Sequence, residues 1–322
     1  MPETGASPQS PQPAQSPALP QPPPAALRWS AGILGGDVAV LRGLRDGGSP
    51  WLLQAGDRQV VLRTGGPGQV RQLATEAAGL ARAAGLAVPV PELLGHDDGR
   101  AAGGGPAVLC AARPGSSRIP PRPVPARLRA LGAAAAVLHA LPCPPSAVLP
   151  HRDHPIGDED FAGLRAGHDV GPLQREAQAV LDAATRARAA RPAPASVFVH
   201  GDLWAGNTLW TGDTLTALID WDAAGTGAPG VDLGSLRMDA ALCYGAGSGA
   251  ADEVIAGWEA AAGRPADDVP YWDVVAALAT PPGLGWFPAS IAAQGGRPDL
   301  TAELVVRRHA DFLSQALDRL RP

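Results

Sequence analysis

The sequence predicts an α+β chain, with a small β-rich portion followed by a larger, mainly helical one. Two patterns carry this. Between residues 38 and 111 the apolar residues come in short runs separated by Gly, Pro and Asp, the pattern of strands and turns, with one helical stretch among them. From about residue 124 they recur instead at three- and four-residue spacing over long segments, the spacing that lines one face of a helix. Size agrees with this: 322 residues, 45% apolar and 18% charged, is a globular balance with room for two lobes and a substantial core.

Residues 1–26 are Pro, Gln, Ser and Ala with almost no large apolar side chain, so burial cannot offset the entropy of ordering them and a disordered tail is expected. Residues 38–41, 51–53 and 60–63 read as strands. Asp46, Gly47, Gly48, Ser49 and Pro50 break the first two and suit a tight hairpin. Residues 69–85 read as a helix, with Val70, Leu73, Ala77 and Leu80 on one face and Gly85 at the stop. Runs at 90–94 and 107–110 look like two further strands. Helices are then expected over 124–141, 171–190, 232–244, 252–262 and 300–320, and Asp232 reads as the N-cap of its helix. A β-like region at 197–210 and 215–221 interrupts them.

Composition closes several doors. All 26 cations are Arg, there is no Lys, and the single Asn is Asn207. A P-loop and a Schiff-base site both require Lys, so neither chemistry is open to this chain. A net charge of −5 argues against a protein that binds by neutralising nucleic-acid phosphates. No run approaches the roughly 18 apolar residues of a membrane span. Residues 1–27 lack the basic and apolar regions of a secretory signal. Cys110, Cys143 and Cys243 are odd in number and lack C-x-x-C spacing, as expected of reduced, buried thiols in a cytoplasmic protein.

The chemistry lies in the β-like region. His200-Gly201-Asp202-Leu203-Trp204-Ala205-Gly206-Asn207 fits H-x-D-x-x-x-x-N, flanked by the apolar runs 197–199 and 208–210. Thirteen residues beyond Asn207, a further apolar run delivers Asp220, and Asp222 follows. Phosphoryl transfer needs a carboxylate to accept the hydrogen of the acceptor hydroxyl, and oxygen ligands for a Mg²⁺ that bridges nucleotide phosphates. Asp202 suits the first role, Asn207 and Asp220 the second. Asp222 reads equally as another metal group or as a cap for the turn before Gly225.

HGDLWAGNTLW followed by ALIDWDAAGTGAPGVDLGSL resembles the aminoglycoside phosphotransferase family, small-molecule kinases with the protein-kinase-like two-lobed fold. Protein kinases would show HRD and DFG. Fructosamine kinases typically place Pro where this chain has Trp221. The resemblance implies ATP and Mg²⁺ as cofactors, Asp202 as the catalytic carboxylate, and Asn207 and Asp220 as metal ligands. It also implies Arg63 on the α/β-phosphates, in the place of the Lys of many relatives, with Glu76 as its partner. A guanidinium can hold phosphate bidentately, but with a different geometry. Gly47, Gly48 and Ser49 would lie over the phosphates, although the segment reads nearly as well as an ordinary hairpin. Cys110 and Ala111 would begin the hinge that meets adenine.

The expected organisation is a tail over 1–26, a nucleotide-binding N-lobe over 27–115, and a catalytic and acceptor-binding C-lobe over 116–322. The C-lobe holds seventeen Arg and twenty-three acids, among them Asp153, Asp158, Glu159 and Asp160, which suits a cationic hydroxyl acceptor. The acceptor classes that fit are an aminoglycoside, an amino sugar, another sugar or an amino alcohol. A monomer or homodimer is expected, with neither nucleic acid nor membrane as partner. Two other readings stand beside this one: a catalytically weak nucleotide-binding scaffold, suggested by Arg63 and the short loop, and a metal-dependent hydrolase using Asp202, Asp220 and Asp222.

Overall fold

A computed structural model describes residues 21–45, 48–156, 171–191, 196–279 and 287–321. The expectations for residues 1–20, Asp46, Gly47, Asp158, Glu159 and Asp160 lie outside the described residues. Helix α1 (Pro24–Leu34) begins with a Pro whose fixed φ suits a first turn, and it closes on Gly35 at φ +71°. The expected tail is therefore shorter at its end: Pro24, Ala25 and Ala26 are helical, and Ala26 is buried.

Strands β1 (Ala39–Gly43), β2 (Trp51–Ala55) and β3 (Arg58–Thr64), then α2 (Val70–Ala83), β4 (Leu93–Asp97) and β5 (Ala107–Ala111), follow the predicted order. They form one antiparallel sheet in the order β1-β2-β3-β5-β4. β4 starts three residues later than expected, because Pro89 and Pro91 offer no N–H to a ladder. The apolar face of α2, Leu73, Ala77 and Leu80, shares a core with Val108 and Cys110 of β5.

The helical part opens with α3 (Pro125–His139), followed by the short strand β6 (His151–Arg152) and α4 (Pro172–Ala189). Strand β7 (Val197–Val199) leads through a 3-10 turn, Ala205–Asn207, into the hairpin of β8 (Thr208–Thr211) and β9 (Thr214–Leu218). Strand β10 (Gly225–Gly227) pairs with both β6 and β7. Five helices complete the chain: α5 (Gly230–Tyr244), α6 (Ala250–Ala262), α7 (Val269–Ala279), α8 (Phe287–Gly295) and α9 (Ala302–Leu320). The sequence did not announce α7 or α8. α7 is buried on nearly every side, so it has no polar face to make its periodicity visible. Asp232 also departs from expectation: it lies inside the first turn of α5, and its carboxylate does not cap that helix.

Helices α3 and α6 cross with their backbones in contact. A Cβ at Gly257 would lie 2.1 Å from the Arg129 carbonyl oxygen, and one at Gly132 2.0 Å from that of Val254. Gly257→Ala is therefore expected to cost about 2–3 kcal/mol, read as a lower denaturant midpoint, since the clash is with backbone that no rotamer can clear. An unchanged midpoint would mean the helices do not touch there.

Candidate active site

A cleft of about 1180 Å³ separates the five-stranded sheet from the helical part. Its walls include Arg63, Glu76, Cys110, Ala111, Asp202, Asn207, Asp220 and Asp222. Residues from five separate stretches of chain thus meet in one cavity.

The catalytic turn is built from β7. Gly201 adopts φ +82°, and a Cβ there would sit 2.0 Å from the Ala223 carbonyl oxygen, so only glycine allows the close turn before Asp202. His200 is fully buried and lies 4.4 Å, centroid to centroid, from Trp221, which in turn stacks on Phe198. Its Nε2 lies 3.0 Å from the Ile219 carbonyl oxygen and donates to it. Burial holds the His200 pKa below the ordinary histidine value, so the ring is neutral at pH 7 and joins the two motifs as a neutral donor. The Ile219 amide also donates to the Asn207 carbonyl at 2.9 Å. Asp220 therefore emerges at a fixed distance from Asn207, with its backbone in the left-handed region at φ +64°.

The residue that anchors this turn is Asp232. Its carboxylate accepts the backbone N–H groups of His200 at 2.9 Å and Gly201 at 2.8 Å, and faces His139 Nε2 at 3.1 Å. Trp258 Nε1 donates to His139 Nδ1, which assigns the proton on Nε2 to the bond with Asp232. Burial pushes the Asp232 pKa upward, but the hydrogen bonds from the His139 ring and the His200 backbone oppose it, and the group is held below the usual carboxylate range. No sequence signal pointed to this role, because its partners lie more than thirty and more than ninety positions away.

Asn207 is buried and gives Nδ2 to the Asp202 carbonyl oxygen at 2.9 Å and to Asp202 Oδ2 at 2.8 Å. Its Oδ1 accepts from Gln294 Nε2 at 3.3 Å. Burial, then the charges of Asp220 and Asp222, push the Asp202 pKa up to about 8. Arg63 reaches across the cleft: Nη1 lies 2.6 Å from Asp220 Oδ1 and 3.1 Å from Glu76 Oε2, and Nη2 lies 2.5 Å from Asp222 Oδ2. Burial would favour a neutral guanidine, but Asp220 and the other two acids hold Arg63 firmly protonated. Burial lifts Glu76 to about 7 against the pull of Arg63. Asp220 is also buried, yet Arg63 and Arg45 bring it below the ordinary value, whereas burial and the Asp220 charge raise Asp222.

Cys110 and Ala111 lie on the cleft wall, where burial pushes the Cys110 thiol up to about 12. The Ala111 and Ala112 amides are spent on the carbonyls of Glu92 and Gln59. Gly48 and Ser49 are not among the residues of the cleft wall. Ser49 Oγ donates to the Thr64 carbonyl at 3.1 Å and accepts the Thr64 amide at 3.2 Å, which commits its one hydroxyl hydrogen to β3. Arg42, Leu44, Arg45 and Pro50 form the cleft face of that segment instead. Sequence reading also missed Arg45, Gln72 (which donates to Asp222 at 2.7 Å), Gln294 and Asp239.

Asp239, on α5, also lines the cleft, as do Trp204, Ser235, Met238, Leu242 and Ile291. It accepts from the Ala205 amide at 3.1 Å and from the Cys243 thiol at 3.6 Å, and burial raises its pKa to about 6.

The profile of the phosphotransferase enzyme family matches residues 40–278. Among solved structures, a Ralstonia eutropha protein assigned as an aminoglycoside phosphotransferase superposes with TM-score 0.64 at 16% identity, covering 92% of this chain and 98% of that one. Macrolide 2′-phosphotransferase MphH from Brachybacterium faecium gives 0.57 at 24% identity, with 88% and 98% covered. Aminoglycoside phosphotransferase APH(4)-Ia, in a ternary complex with ADP and hygromycin B, gives 0.55 at 16% identity, with 88% and 98% covered. At these identities the three structures share the fold, the kinase-like α+β architecture expected from the sequence. No curated protein sequence matched. A profile that runs unbroken through the sheet, the catalytic turn and the buried helices makes this chain a member of the phosphotransferase enzyme family, a phosphotransferase acting on small molecules.

Proposed function

We propose that the protein transfers the γ-phosphoryl group of ATP to a hydroxyl of a small, amine-bearing molecule, with Mg²⁺. The observation that carries this is the Asp202 carboxylate, gripped by Asn207 at 2.8 Å in a cleft that also holds Asp220 and the Arg63–Glu76 pair. The APH(4)-Ia complexes with ADP or AMP-PNP and hygromycin B supply the precedent for donor and acceptor.

The donor set fits a hard cation. Asp220 offers a carboxylate and Asn207 an amide oxygen, with no thiolate, and Mg²⁺ takes one or two protein carboxylates plus phosphates and water. The mutual repulsion that raises Asp202 and Asp222 is the electrostatic demand such an ion answers. Asn207 and Asp220 would hold the ion, which would supply positive charge against the nucleotide phosphates. In this reading Arg63 holds the α/β-phosphates and Glu76 fixes its guanidinium. Cys110 and Ala111 wall the adenine. Asp202, oriented by Asn207, accepts the hydrogen of the acceptor hydroxyl. Three buried cysteines and an ATP donor support a cytoplasmic enzyme. A hydrolase reading has less support, because the match to the phosphotransferase enzyme family over residues 40–278 spans the same three carboxylates, Asp202, Asp220 and Asp222.

Asp239 is the basis for the amine. It is a buried carboxylate with no ion-pair partner among the described residues, and it lines the same cleft as Asp202. A buried charge without a counter-charge is costly, so a protonated amine on the acceptor would be held there. The test is transfer of labelled γ-phosphate to a panel of hydroxylated amines and their N-acylated forms. Wild type is expected to phosphorylate amines, and Asp239→Asn to raise their KM about tenfold or more with kcat changed much less. No transfer to any member, with nucleotide still bound, would favour a scaffold over a kinase. Equal use of N-acylated forms would remove the role of Asp239.

A further inference from the structure

A second cation lines the cleft on the turn after β1. Arg63, which sequence reading puts on the phosphates, has both Nη atoms committed to the carboxylates of Glu76, Asp220 and Asp222. Arg63 can therefore reach an incoming phosphate only by giving up one of these enclosed partners.

Arg45 is placed differently. Its side chain is 54% exposed, it lines the cleft, and among the described residues it makes one ion pair, Nη2 to Asp220 Oδ2 at 2.7 Å. Exposed ion pairs contribute little net stability, so this one can be given up readily, whereas guanidinium binds phosphate through two parallel, charge-assisted bonds. Asp220 is also the carboxylate that the proposed reading gives to Mg²⁺, so a cation on it must compete with the guanidinium. If Arg45 moves to a phosphate oxygen, Asp220 Oδ2 is released and positive charge is placed on the nucleotide at the same time. The carboxylate that Arg45 holds, Asp220, also acts by its charge on Asp202, so Arg45 shares the part of the cleft that a phosphate bound for Asp202 must enter.

We propose that Arg45 is a phosphate-binding residue that exchanges Asp220 for the terminal phosphate of a nucleoside triphosphate. The proposal rests on the reading of the cleft as an ATP site and extends it to a residue on the exposed turn. As a positioning residue outside the buried cluster, Arg45 can be changed without disturbing the fold.

The test is calorimetric binding of AMP-PNP and of ADP, each with Mg²⁺, to the full chain as wild type, Arg45→Gln and Arg45→Lys, with thermal unfolding as the check on folding. Arg45→Gln is expected to weaken AMP-PNP binding about tenfold to a hundredfold, the loss of one charge-assisted contact, and ADP binding less than threefold. Arg45→Lys should recover part of the loss. Unchanged or tighter AMP-PNP binding in Arg45→Gln would overturn the proposal, leaving Arg45 a counter-ion of Asp220 alone. Equal losses for both nucleotides would overturn the terminal-phosphate assignment. If wild type binds neither nucleotide, the ATP reading itself fails, and that result is distinct from the other two.

Discussion

Asp202→Asn is expected to lower kcat by about two to four orders of magnitude while leaving Mg²⁺-nucleotide affinity within a few-fold. The substitution keeps the shape of the side chain but removes the oxygen that takes the hydroxyl hydrogen in the transition state. Asn207 Nδ2 loses a charged acceptor at 2.8 Å yet keeps the Asp202 carbonyl at 2.9 Å, so the turn stays anchored, and Asp232 still holds the His200 and Gly201 amides. Burial and the neighbouring acids already hold the Asp202 pKa at about 8, so the substitution changes the charge that meets the nucleotide little, and nucleotide binding is expected to hold. Single-turnover transfer measured beside calorimetric nucleotide affinity separates the two effects. Activity within tenfold of wild type would sink the assignment of Asp202.

Asp220→Ala is expected to abolish the Mg²⁺-dependent part of nucleotide affinity, a loss on the order of a hundredfold or more. Two guanidinium groups converge on this carboxylate, Arg63 at 2.6 Å and Arg45 at 2.7 Å, and both are left facing the cleft when it is removed. Nucleotide binding without Mg²⁺ should therefore persist or improve, an opposite sign that marks the residue as a metal ligand rather than a fold element. Asp220 sits at φ +64°, where Ala is disfavoured by about 1–2 kcal/mol and Asn is tolerated. Asp220→Asn therefore serves as the control for backbone effects, and it should also lose the Mg²⁺ dependence. Equal Mg²⁺ dependence in all three proteins would move the metal elsewhere.

The parts of the site legible in the sequence are those whose geometry is local. Asp202 and Asn207 belong to one strand, turn and strand, and their spacing is fixed by that short path. Asp220 ends the hairpin that follows. Arg63 and Glu76 needed the family resemblance, because the ion pair between them crosses from a strand to a helix at 3.1 Å, and nothing in periodicity announces it. Ser49 shows what a sequence does not display: its hydroxyl hydrogen is already given to the Thr64 carbonyl, a bond from the turn to β3 that no local pattern announces. Asp232 looked like a cap because acids favour the first turns of helices, but its proton donors come from another strand and another helix. The same applies to α7, whose uniform burial erased the pattern by which helices are recognised.

Helix α5 carries both Asp232, which ties down the turn that holds Asp202, and Asp239, which lines the cleft. Seven residues separate them, two turns and about 10 Å along one side of a helix buried from Gly230 to Cys243. In the proposed function this makes α5 a rigid ruler between the reacting hydroxyl and the group that would recognise the acceptor. Any substitution that tilts or slides the helix to admit a different molecule also shifts the support beneath Asp202. Changes of acceptor preference are therefore better accommodated on the facing wall, at Ser290 and Ile291 of α8, where a new side chain can reshape the chamber without disturbing the chemistry.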